Sequence, residues 1–206
     1  MLIRYRVLGV LDFQNLRYVV VFNTNGNGQT PYAPNIATYT NYSFILIFGG
    51  TQASGAAYAV AQVVNSGSGG FTSVVLPQAP QYVTNFNPNS SGNNNEFTFT
   101  FNRFLLSPLQ SATPTPAPSP TPVGIPTLLS GVSSLWAINM FSEDASNNPS
   151  PIDAISSNGV SDTTFNSFVV NTLVPFDVVS NKPVPPPVQV ANPNAQIIAA
   201  EVINTP

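Results

Sequence analysis

Residues 96–105 read Glu-Phe-Thr-Phe-Thr-Phe-Asn-Arg-Phe-Leu, and the first six alternate strictly. Phe97, Phe99 and Phe101 fall on one parity, Thr98 and Thr100 on the other. A period of two does not suit a helix face, whose repeat is 3.6; it belongs to a strand with one aromatic and one hydroxylated face. The same period opens the chain, where Ile3, Tyr5 and Val7 alternate with Arg4 and Arg6. Working outward, β-branched and aromatic runs recur at 2–11, 16–23, 42–48, 57–65, 71–76, 80–87, 96–105, 134–141, 164–173 and 196–203. Gly, Asn and Pro clusters separate them, which are turn signals. The last run suits a short helix equally well, because Ala199, Ala200 and Glu201 are helix formers. About ten short strands spaced in this way predict an all-β fold, a single jelly-roll-like β-sandwich.

Composition agrees with strands and excludes much chemistry. The 206 residues include five basic and eight acidic side chains, 6% in all, and neither His nor Cys. Charged residues ordinarily make up about a quarter of a soluble domain. Without His or Cys there is no Ser-His-Asp triad, no Cys nucleophile paired with His, no thiolate or imidazole zinc site and no disulfide. Five scattered cations do not make the footprint that phosphate binding needs, so nucleic acid is not an expected partner. Polarity comes instead from 24 Asn, 21 Ser and 17 Thr, with 13 Gly and 21 Pro. With 43% hydrophobic residues the chain has the material for a sizeable core. No apolar run approaches the length of a membrane-spanning helix. The expectation is no enzyme, no cofactor and no membrane span.

Length predicts one domain over 1–206. Residues 111–122 (SATPTPAPSPTP) carry Pro at every second position from Pro114 to Pro122, and 183–187 read PVPPP. Such stretches favour polyproline II and cannot join a sheet interior, so 111–122 is an insertion between strands. The N-terminal MLIRYR lacks the apolar block of a signal peptide. A neutral, thiol-free chain suits an extracellular or cell-surface setting, and the expected explanation is a numbering that starts after leader removal.

Several residues invite a chemical reading. Glu143, Asp144 and Asp153 form the densest acidic cluster, and paired carboxylates do acid/base work; the segment nevertheless reads as a polar loop after a strand, with turn-capping as its plain role. Asn23, Asn25 and Asn27 occupy the alternating positions that oxygen ligands take in calcium loops, but they are neutral and lack an acidic ligand downstream, so a simple turn competes with a weak calcium site. Sequons occur at Asn41 and Asn89, and Thr113, Thr115, Ser119 and Thr121 are candidates for O-glycosylation in the Pro-rich insertion. Tyr32, Tyr39, Tyr42 and Trp136 suit a sugar-stacking surface, although Trp136 within LWAINMF fits a core better.

The runs YVVVFNTNGNGQTPYAP (18–34) and WAINMFSEDASNNPSPIDAISSNG (136–159) resemble a group of bacterial surface β-sandwich proteins, themselves similar to family 9 carbohydrate-binding and DOMON-like modules. The resemblance covers about two-thirds of the chain. It implies a jelly-roll-like sandwich at the cell surface. This chain departs from that pattern by carrying Asn in place of the acidic hairpin residues and by having no lipoprotein Cys.

Two segments decide the functional expectation. Residues 1–11 and 195–206 are strand-like and terminal, with Ile3, Tyr5, Val7, Ile197, Ile198 and Val202 as interaction residues. A sandwich that lends such a strand to a neighbour completes that neighbour's sheet, and the contact repeats into an open polymer. The scarcity of charge along the strands removes the usual guard against edge pairing. The sequence therefore predicts a structural, pilus-like subunit of an extracellular filament or surface layer, with copies of itself as partner. A carbohydrate-binding surface module, with glycans as partners, is the alternative, followed by a jelly-roll capsid protein.

Overall fold

Phe97, Phe99 and Phe101 are buried while Thr98 and Thr100 are half-buried, as their alternation requires. The computed structural model describes residues 1–24, 43–50, 58–65, 71–75, 82–106, 135–146, 151–155, 168–173, 178–183 and 190–204. Among these lie twelve strands: β1 (Leu2–Val7), β2 (Leu16–Asn23), β3 (Phe44–Gly49), β4 (Tyr58–Asn65), β5 (Phe71–Val75), β6 (Val83–Asn87), β7 (Glu96–Phe101), β8 (Leu135–Asp144), β9 (Pro151–Ala154), β10 (Phe168–Asn171), β11 (Val178–Pro183) and β12 (Ile197–Ile203). A 3-10 turn, Arg103–Leu106, follows β7. The Pro-rich segment 111–122 lies outside the described residues.

The strands form two antiparallel sheets. One has five strands in the order β11-β12-β1-β7-β6; the other has seven, in the order β10-β8-β2-β3-β4-β5, with β9 also on β8. The sheets face each other across an aromatic core. Tyr5 stacks on Phe97 at 5.2 Å and meets Tyr18 of the opposite sheet edge-on at 5.4 Å. Phe48 lies 4.6 Å from Phe97, and Phe22 approaches Phe101 at 6.1 Å. Offset and edge-on ring pairs of this kind add to plain area burial. The fold is an all-β sandwich.

The centre of the seven-stranded sheet is apolar on both faces. Tyr18, Val20 and Phe22 point into the main core, whereas Val19, Val21, Ile45, Phe141 and Ala154 form a second buried cluster on the reverse side. This is why LRYVVVFN and FILIF read as continuous apolar runs without alternation: a strand covered on both sides needs no polar parity. The five-stranded sheet, by contrast, carries Arg4, Arg6, Thr98 and Thr100 on its outer face, opposite the buried residues of the same strands.

The residues 196–203, compatible with helix or strand by sequence, supply β12 because β1 pairs with it antiparallel along its length, with one register shift at Arg6/Val7. Tertiary pairing overrides helix propensity here. β8 runs three residues further than expected, through Asp144, because β2 pairs with it along its length from Leu16↔Asp144 to Asn23↔Ala137. Gly49 closes β3 at φ +84°, and a Cβ there would stand 2.6 Å from the Leu16 carbonyl oxygen, so no side chain fits.

Candidate functional site

The first strand in sequence is a central strand in space. β1 pairs with β12 on one side and β7 on the other, from Leu2↔Ile203 and Leu2↔Thr100 onward. Ile3, Tyr5 and Val7 have no exposed surface, and Ile197 and Val202 of β12 are equally buried; Ile198 is half-buried. These interaction residues therefore fill the chain's own core. On the outer face, Arg6 Nε donates to Glu96 Oε2 of β7 at 2.8 Å and Arg4 pairs with Glu201 of β12. Ser90 Oγ donates to the other Glu96 oxygen at 2.7 Å. The Arg-x-Arg of β1 thus clips the strand to both neighbours with charge-assisted bonds.

Beyond β1 the chain is tied to two loops at one end of the sandwich. Leu8 N donates to Gln196 O (2.9 Å), Gly9 N to Pro193 O (2.8 Å) and Leu11 N to Asn94 O (2.6 Å). Asn194 Oδ1 accepts from Val10 N at 3.0 Å. Gly9 permits this approach: a methyl there would lie 2.3 Å from Asn194 Oδ1 and 3.0 Å from the Pro193 backbone. Tyr18 Oη accepts from Asp12 N (2.8 Å) and donates to Asn194 O (3.1 Å). Asp12 Oδ1 accepts from the amides of Gln14 and Asn15; bonds from Asn15 hold its carboxyl below the usual range. Much of the Asn content has this purpose, since Asn side chains also cap turns at Asn87, Asn89 and Asn192.

The acidic cluster is not one site, and its expected loop is strand. Glu143 belongs to β8 and Asp153 to β9, and both are buried. Ser142 stands opposite Asp153 in the register, so these two share a face and Glu143, next along β8, takes the other. Glu143 Oε1 lies 3.8 Å from Arg17 of β2. Burial pushes the Glu143 carboxyl up to about 7 against the pull of Arg17. On the inner face, Asp153 Oδ2 accepts from Ile197 N at 2.7 Å and Ser142 Oγ donates to Ala195 O at 2.6 Å. Burial raises Asp153 to about 6. Asp144 Oδ1 caps Ser146 N at 3.0 Å. With Glu143 and Asp153 on opposite faces, the pair does not flank a common substrate, and no three acidic side chains converge among the described residues. Sequence reasoning missed the Ser142–Asp153 bridge, because its partners lie 53 and 44 residues away.

The edges are guarded by means other than charge. β6 carries a bulge at Thr84, whose hydroxyl donates to Thr100 O at 3.1 Å. β11 has a register shift between Val179 and Lys182 and ends on Pro183. β9 begins with Pro151, and β10 has four residues. Bulges, prolines and short length blunt an edge as charge does. β5, paired regularly with β4 and composed of Phe-Thr-Ser-Val-Val, is the described edge without such a device. Among the described edges, β6, β9, β10 and β11 thus carry such a device beside the low charge, and β5 does not.

Of the remaining candidates, Asn23 is buried at the end of β2 and Trp136 is buried against Phe22 in the core. Asn89 is exposed in the turn between β6 and β7. Asn25, Asn27, Asn41, Thr113, Thr115, Ser119, Thr121, Tyr32, Tyr39 and Tyr42 lie outside the described residues. Among the described residues no helix is long and apolar enough to cross a membrane. Comparison with known proteins returned no matching family model, no matching curated protein and no matching solved structure.

Proposed function

We propose that the chain is a structural subunit of an extracellular filament or surface layer, built from copies of itself by exchange of β1. One observation carries this reading: the first strand of the sequence fills the middle of a sheet, between β7 and β12. Taking β1 from a neighbour reproduces the same ladder, the same Tyr5–Phe97 stack and the same Arg4 and Arg6 ion pairs. Exchange is therefore close to isoenergetic per subunit, with connectivity as the main difference. A one-way exchange is a heterologous contact and propagates as an open chain.

The surface supports an end-to-end arrangement. Among the described residues, the exposed large apolar side chains are Leu8 and Val10 at one end of the sandwich and Leu135, Val169 and Leu173 toward the other. Stacking copies head to tail covers both groups. The resemblance of 18–34 and 136–159 to surface sandwich proteins supports the extracellular placement.

Sedimentation and electron microscopy of the full chain test the proposal. Linear polymers are expected, lost on deletion of residues 1–11; a peptide of that sequence should fill the open sheet of the truncated subunit and yield a folded monomer, not a polymer. A full chain that stays monomeric across concentrations and salt conditions overturns it.

A further inference from the structure

The Ser142–Asp153 bridge does more than fill space. It joins the sheets where β12 enters the fold, and it meets β12 at a fault in the ladder: the β1–β12 register passes from Arg6↔Ala199 to Val7↔Ile197, leaving Ile198 as the bulged residue. The Ile197 amide is taken by the Asp153 carboxyl of the opposite sheet, while Ser142 holds the Ala195 carbonyl two residues earlier. Asp153 is 1% exposed, and its second oxygen, Oδ1, has no hydrogen-bond partner. We propose that Ser142 and Asp153 form a proton-operated clasp that closes on the start of β12 when Asp153 is protonated and loosens when it ionises. This is independent of how copies assemble.

Among the described residues, no cation is paired with Asp153. On β9 Asp153 is the sole charge, and on β8 it faces Ser142, while Glu143 is turned to the reverse face toward Arg17. Asp144 ends β8 and caps its own turn. The 195–197 segment is uncharged; Glu201 lies further along β12 and pairs outward with Arg4, and Arg6 of β1 pairs outward with Glu96. A neutral carboxyl accepts from Ile197 at modest expense. A buried anion without a cation beside it is disfavoured despite its amide donors and gains by turning toward water, which frees the Ile197 amide. Burial accordingly lifts the carboxyl to about 6, with the Ile197 and Ala154 amides opposing.

Amide hydrogen exchange at Ile197 between pH 5 and 8, corrected for intrinsic rates, tests the clasp. The raised carboxyl predicts local opening about tenfold more frequent at pH 8 than at pH 5. Asp153→Asn places an acceptor and a donor where the protonated acid has them, so it should hold Ile197 protection constant across that range. Glu143→Gln should leave the wild-type dependence in place. In the wild-type chain, the Asp153 carboxyl followed by carbon NMR should titrate with the same midpoint as Ile197 protection. Protection of Ile197 that does not change with pH, or a midpoint that departs from that of Asp153, overturns the proposal even if the variant fails to fold.

Discussion

At Gly9 a single missing methyl holds one end of the sandwich together. Gly9→Ala drives a Cβ into Asn194 Oδ1 and the Pro193 backbone, so Asn194 must release Val10. We expect a loss of about 1–3 kcal/mol, comparable to overpacking in a core, read as a lowered urea midpoint. Glu143 makes the opposite kind of statement. Its folded carboxyl sits at about 7, above the ordinary 4.5. Its favourable contribution is complete below 4.5 and fades as pH rises through 7, so the protein should gain thermal stability on acidification from pH 8 toward pH 5. Glu143→Gln should raise Tm at pH 8 and flatten that part of the profile. A wild-type Tm that falls steadily from pH 8 to pH 5 contradicts the assignment.

Among the elements, β1 and its neighbours are the best secured. Arg6→Ala leaves Glu96, which is buried, with only Ser90 and the more distant Arg4 Nε at 3.6 Å. The expected loss is about 1–3 kcal/mol, because a buried charge is left with a weaker partner set; exchange of Arg6 with Lys should recover only part of it. Native-state hydrogen exchange should find the slowest amides in β1, β2, β7 and β8 and faster ones in β9 and β10. These central strands are also the ones most legible in the sequence, through the parity of Ile3-Tyr5-Val7 and of Phe97-Phe99-Phe101 and through the apolar run of β2. β9 and β11 were not legible. Pro-Ile-Asp-Ala and Val-Val-Ser-Asn-Lys-Pro carry turn residues because they form edges, and their strand character comes from β8 and β12 rather than from their own propensity. The acidic cluster was legible as a cluster but not as two unrelated groups, since only the pairing of Ser142 with Asp153 across β8 and β9 shows that Glu143 and Asp153 take opposite faces.

For the molecule as a whole, the scarcity of charge is best understood through where the charges are. Three of the five basic residues, Arg4, Arg6 and Arg17, are committed to Glu201, Glu96 and Glu143. Beyond these pairs, the partly exposed parity of β1, β7 and β12 carries uncharged residues, Thr98 and Thr100 with Leu2, Ala199 and Ile203, a surface that packs without burying unpaired charge. Non-local pairing dominates, as β1 meets β12 across almost the entire sequence, so folding should be slow, on the order of milliseconds to seconds. The proposed strand exchange uses that delay, in which β1 would meet a neighbour's sheet before its own. The strand-exchange claim is tested most directly by a double variant, Leu2→Cys with Thr100→Cys, which places two thiols at directly opposed positions in a chain otherwise free of cysteine. If β1 is exchanged, oxidation of the assembled protein yields a covalent ladder on a non-reducing gel, because each disulfide joins two subunits. A single monomer band from fully oxidised assemblies would show that every β1 stays in its own sheet and would contradict the account.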